Sequence, residues 1–122
     1  MSGAAPITVV ETPEFLSATR KLLTEEERAV LTDYLAHNPT AGDLIQGTGG
    51  VRKVRWGLEG RGKRGGARVI YFYHSANIPL FALTAYAKNE RADLSQKDRN
   101  DFRQLTKLLV ETYGRQKDEQ GS

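Results

Sequence analysis

The chain of 122 residues contains no cysteine. Disulfides, thiolate metal sites and cysteine nucleophiles are excluded together, and a reducing compartment fits. The two histidines, His37 and His74, are isolated. Neither has a partner three or four residues further on, so the spacing of a helical metal site is missing. No metal and no other cofactor is expected. A nucleophile-elbow motif is absent. The acids lie mainly on helix faces, not as a carboxylate pair for glycoside chemistry. No apolar run approaches the roughly 20 residues of a membrane span, and the opening MSGAAPITVV lacks the charged n-region of a signal peptide. The expected setting is the cytoplasm, with no membrane partner.

Acid is also scarce in one particular place. Seven of the eighteen basic residues fall between Arg52 and Arg68, and Glu59 is the single acid among them. The formal charge of +3 is modest. Gathered on one hairpin, however, seven cations make a local field that a phosphate backbone would satisfy. The other bulk properties are ordinary. A length of 122 residues with 39% hydrophobic and 27% charged residues describes one soluble domain, 1–122, able to bury a core. Its core is expected at about 6–113. The polar tail 114–122 is expected to be disordered.

Local signals give the order β-α-α-β-β-β-α. PITVVE at 6–11 is β-branched and short. Thr12-Pro13-Glu14 supplies an N-cap, a proline at the first helical position and an early acid. Thr24 and Glu27 form a capping box, and Val30, Leu31, Tyr34 and Leu35 follow at helical spacing. Asn38-Pro39 ends that helix. GDLIQGTGG reads as irregular. Val51–Trp56 alternates, with Val51, Lys53 and Arg55 on one face and Arg52, Val54 and Trp56 on the other. Val54 and Trp56 are the better core candidates. Residues 57–66 hold five glycines, too many for a regular element. Arg68–Tyr73 and Ile78–Tyr86 read as strands. Ser95-x-x-Asp98 caps a last helix with Phe102, Leu105, Leu108, Leu109 and Tyr113 on its buried stripe. Short links make the sheet mostly antiparallel. The expected class is α+β, with N-terminal helices and a C-terminal helix.

Lys53 and Arg55, two apart on a strand, share a face and stand roughly 7 Å apart along it. If the next strand pairs with theirs, Arg68 comes near both. Together they could hold a phosphate through guanidinium forks and a point charge. Arg61, Lys63 and Arg64 project from the loop between the strands. The alternative is a solvated charged strand with a soluble loop. Gly57 to Lys63 imitates a P-loop, but Arg64 stands where Ser or Thr must bind Mg²⁺, and a strand follows instead of a helix. Nucleotide hydrolysis is therefore rejected. At the end of the apolar strand, Tyr86-Ala87-Lys88-Asn89-Glu90-Arg91 forms a candidate second wall of the same site.

The run GDLIQGTGGVRKVRWGLEGRGKRGGARVIYFY, followed by LTAYAKNERADLS, closely resembles the HigB-like branch of the RelE/ParE toxin superfamily over about residues 12–113. The resemblance implies a small sheet domain with helices on one side, and a toxin held in check by a cognate antitoxin. It implies a ribosome-dependent mRNA endonuclease that works in the ribosomal A site without a metal, the RNA's own 2′-hydroxyl attacking the adjacent phosphate. Lys53, Arg55, Arg68 and Lys88 match the family's catalytic cations. Arg52, Arg61, Lys63, Arg64, Tyr86 and Arg91 are the expected RNA-binding residues. RelE has an arginine directly after the counterpart of Lys88 and a tyrosine six residues further on; here those places hold Asn89 and Ser95. The superfamily leaves open a ParE-like toxin that poisons gyrase, and the charge pattern leaves open a nucleic-acid-binding module without chemistry.

Overall fold

A computed structural model of the chain describes residues 5–57, 66–90 and 93–121, with the side chains of the last helix described as far as Gly114. The elements are β1 (Val9–Glu11), α1 (Pro13–Arg20), α2 (Glu25–His37), β2 (Asp43–Leu44), β3 (Val51–Trp56), β4 (Ala67–Phe72), β5 (Leu80–Ala87) and α3 (Gln96–Gly121). The strands form one sheet in the order β1-β5-β4-β3-β2. Among the described residues only the β1–β5 pair is parallel, so this is the mostly antiparallel α+β fold expected from the sequence.

The helix starts follow the capping chemistry read from the sequence. Thr12 Oγ1 accepts from the Phe15 N–H, and its hydroxyl donates to the Ala82 carbonyl at 2.9 Å, which ties α1 to β5. Thr24 and Glu27 exchange both bonds of their capping box. Ser95 and Asp98 do the same ahead of α3. The stretch read as irregular contains β2, whose two residues pair with Lys53 and Arg52 of β3. At the other end α3 is longer than expected, continuing through the polar tail to Gly121.

β4 and β5 are buried at every position. Strands apolar on both faces need cover on both, and the helices accordingly lie on the two sides of the sheet, not on one. Phe15 of α1, Leu22 and Leu23 of the α1–α2 link, and Leu31 and Leu35 of α2 pack with Val69, Tyr71, Leu80 and Ala82. Phe102, Leu105, Leu109, Val110 and Tyr113 of α3 pack against Val51, Ile70, Phe72, Phe81 and Leu83 on the opposite face. Some expected core residues fall outside. Val30 is 61% exposed and Leu108 58%, each lying off the stripe its helix turns inward. In β3 the fully buried residue is Val51, on the same face as Lys53 and Arg55, while Val54 and Trp56 are only partly covered.

Candidate phosphate-binding cleft

Alternation along β3 sends Val51, Lys53 and Arg55 to the face that α3 covers. The register sets Arg55 opposite Arg68 of β4, and Arg68 opposite Tyr86 of β5. Like charges directly opposite one another destabilise a sheet. Such a local violation is expected where a site needs it, because an anion between two guanidinium groups turns repulsion into charge-assisted bonds. Arg55 is exposed, whereas Arg68 is 7% exposed and held against the sheet.

The presence of Tyr86 and Lys88 on this side depends on a β-bulge. Ile70 pairs with Thr84 but Tyr71 pairs with Ala82, so Leu83 is an extra residue in β5. Before it, Leu80 and Ala82 face α1 and α2; after it, Ala85 and Ala87 do. The bulge thus reverses the strand's phase and turns Tyr86 toward Arg68 and the α3 side. Strict alternation read from the sequence would have sent Tyr86 to the opposite face.

Gly66 then fixes the turn after β5. Its carbonyl accepts the Lys88 N–H at 3.1 Å. Its φ is +64°, and a Cβ there would stand 2.5 Å from the Trp56 carbonyl oxygen, so only glycine fits. Lys88 is exposed at this turn. The result is a cleft of about 490 Å³ lined by Ala41, Asp43, Lys53, Val54, Arg55, Arg68 and Lys88. All four candidate catalytic cations therefore meet at one cleft. Asp43, Ala41 and Gly66 were not singled out in the sequence; the glycine-rich GDLIQGTGG stretch gave no hint that its aspartate joins a strand beside Lys53.

The candidate RNA-binding residues are distributed otherwise. Tyr86 lies in the α3-side core beside Arg68. Arg52 points to the other face, where Nη1 donates to the carbonyls of Gly42 at 2.7 Å and Thr40 at 3.3 Å. Beside it the Tyr71 hydroxyl accepts from the Gly42 N–H at 2.8 Å and donates to the Pro39 carbonyl at 2.9 Å. Burial pushes the Tyr71 phenol above its ordinary range, against the opposing pull of the Gly42 bond and the Arg52 charge. Arg52 and Tyr71 thus fasten the segment that brings Ala41 and Asp43 to the cleft. Arg61, Lys63, Arg64 and Arg91 lie outside the described residues.

A carboxylate borders the cations. Asp93 Oδ1 is 3.3 Å from Lys53 Nζ, and its Oδ2 is 3.3 Å from Arg99 Nη2. The sequence places Asp93 inside the YAKNERADLS motif, two residues before the capping Ser95. Among the described residues no cluster of three or more His, Asp or Glu side chains is arranged to hold a metal, and no helix is long and apolar enough to cross a membrane.

Residues 19–120 match the family model described as the RelE toxin of the RelE/RelB toxin–antitoxin system. The chain belongs to the RelE toxin family. It is the toxin of a toxin–antitoxin pair, and the family implies an antitoxin as its protein partner.

Proposed function

We propose that this RelE-family toxin, of the HigB-like branch, is an endoribonuclease that cuts messenger RNA on the ribosome, in the cytoplasm where ribosomes and message meet. The observation that carries the reading is the gathering of Lys53, Arg55, Arg68 and Lys88 at one cleft. RNA carries its own nucleophile. The 2′-oxygen forms a bond to the adjacent phosphorus, the bond from phosphorus to the 5′-oxygen breaks, one proton leaves the 2′-hydroxyl and one reaches the 5′-oxygen. The products are a 2′,3′-cyclic phosphate and a 5′-hydroxyl. What a protein must supply is charge for the phosphorane and a route for the protons, and preorganised charge is commonly the larger contribution.

Arg55 and Arg68, opposite each other on β3 and β4, are suited to grip the non-bridging oxygens. Lys53 on β3 and Lys88 after β5 flank Arg68 from its two neighbouring strands. In-line displacement puts the attacking and leaving oxygens on opposite sides of phosphorus, so two lysines on either side are the candidates for proton transfer. Tyr86 is in register with Arg68 but buried in the α3-side core and outside the cleft lining, so it stands next to Arg68 and not over the cleft, and Arg61, Lys63, Arg64 and Arg91 are assigned to the RNA backbone on charge alone. In a purified translation reaction the protein is expected to cut message only when ribosomes are present. Arg55→Ala, at an exposed position, should lower the rate by about tenfold to a hundredfold, since a charge-assisted phosphate contact is worth about 1.5–3 kcal/mol. Intact message alongside trapped gyrase–DNA complexes would transfer the chain to the gyrase-poisoning class.

A further inference from the structure

The ammonium of Lys53 is not left to solvent. Asp93, between the turn after β5 and the start of α3, accepts from Lys53 Nζ with Oδ1 and from Arg99 Nη2 with Oδ2. The same Oδ1 accepts from the Leu94 N–H at 2.8 Å, which fixes the carboxylate from behind. That backbone bond is the largest single cause holding the Asp93 carboxyl below its ordinary range; burial opposes it, and Lys53 and Arg99 add to it. Lys53 and Asp43 also line a second cleft of about 290 Å³, with Leu44, Ile45, Gln46, Asp93 and Arg99. The lysine is therefore the wall between two openings, and its four-carbon stem could swing into either.

We propose that Asp93 is a positioning residue that keeps the Lys53 ammonium at the lip of the cation cleft and, through Arg99, ties it to the first turns of α3. The proposal rests on the endonuclease reading of that cleft. Exposed ion pairs add little to stability, so the value of this one lies in placement. A lysine free to sample its rotamers reaches the phosphate in a small fraction of them, and a small misplacement of a reacting group is costly in rate. Asp93 lines the second cleft with Lys53 and is not among the residues lining the cation cleft, so it restrains the ammonium without entering the space where the four cations meet.

The test uses the full chain and two readouts. In Asp93→Asn the side chain can still accept from the Leu94 N–H but loses its charge. Ribosome-dependent cleavage is expected to fall about tenfold, with the unfolding midpoint little changed and partial recovery in Asp93→Glu. In a Lys53→Met background, adding Asp93→Asn should cost nothing more, because the residue acts only through Lys53. An equal loss in both backgrounds, or full activity of Asp93→Asn, overturns the proposal. The second readout needs no activity: the side-chain amine NMR signal of Lys53 should shift and exchange faster in Asp93→Asn. An unmoved signal overturns the contact itself. A wild-type protein that leaves message intact overturns the endonuclease reading, and the lysine signal then still decides whether Asp93 holds Lys53.

Discussion

Arg52 and Tyr71 serve the cleft from the face turned away from it. The Tyr71 hydroxyl is both acceptor to Gly42 and donor to Pro39, in a buried setting. Tyr71→Phe removes both bonds and leaves the buried Gly42 N–H unsatisfied, which should cost about 1–3 kcal/mol in a denaturant titration. A loss well under this range would mean that water replaces the hydroxyl. Burial raises the Tyr71 phenol, and a group raised on folding contributes below its ordinary value and loses that contribution as pH climbs through the folded one. The Tyr71→Phe penalty should therefore shrink only above about pH 10. These two residues also show what was legible at this scale. The alternation of VRKVRW already separated Arg52 from Lys53 and Arg55; the count of charges obscured it, because a guanidinium can bind main-chain carbonyls as well as phosphates.

Caps, helices and the paired basic strands were readable as elements, because each rests on local chemistry: Thr12 and Pro13, the Thr24–Glu27 box, the Ser95–Asp98 box. Features that depend on a partner element were not. The two-residue β2 forms because β3 offers its edge. Cover on both faces of the sheet is written in the unbroken apolar runs of β4 and β5, whereas the family resemblance implied helices on one side. The bulge at Leu83 has no sequence signal of its own, yet it decides which face receives Tyr86. Gly66 is where these elements converge on the cleft. Gly66→Ala combines a left-handed φ with a clash against the Trp56 carbonyl. It should destabilise the fold by about 1–3 kcal/mol and lower cleavage further than Tyr71→Phe, because the turn carrying Lys88 moves with it. Wild-type stability and rate in that variant would remove Gly66 from the account.

At the scale of the whole molecule, a modest net charge of +3 conceals a concentrated one. Association with a phosphate backbone releases counterions, so binding to ribosomes should weaken linearly on a log–log plot as salt rises. Lys88→Gln should lower the magnitude of that slope by about 0.7–1, one single-strand phosphate contact. An unchanged slope would place Lys88 off the RNA. In the proposed reaction the nucleophile belongs to the RNA and the cleft supplies only charge and proton transfer. The most direct measurement programs ribosomes with a message carrying a single 2′-deoxy nucleotide on the 5′ side of the mapped cut. Cutting at that bond is expected to disappear while ribosome binding and cutting elsewhere persist, and the unmodified message should end in a 2′,3′-cyclic phosphate. Continued cutting at the 2′-deoxy position would contradict this reaction.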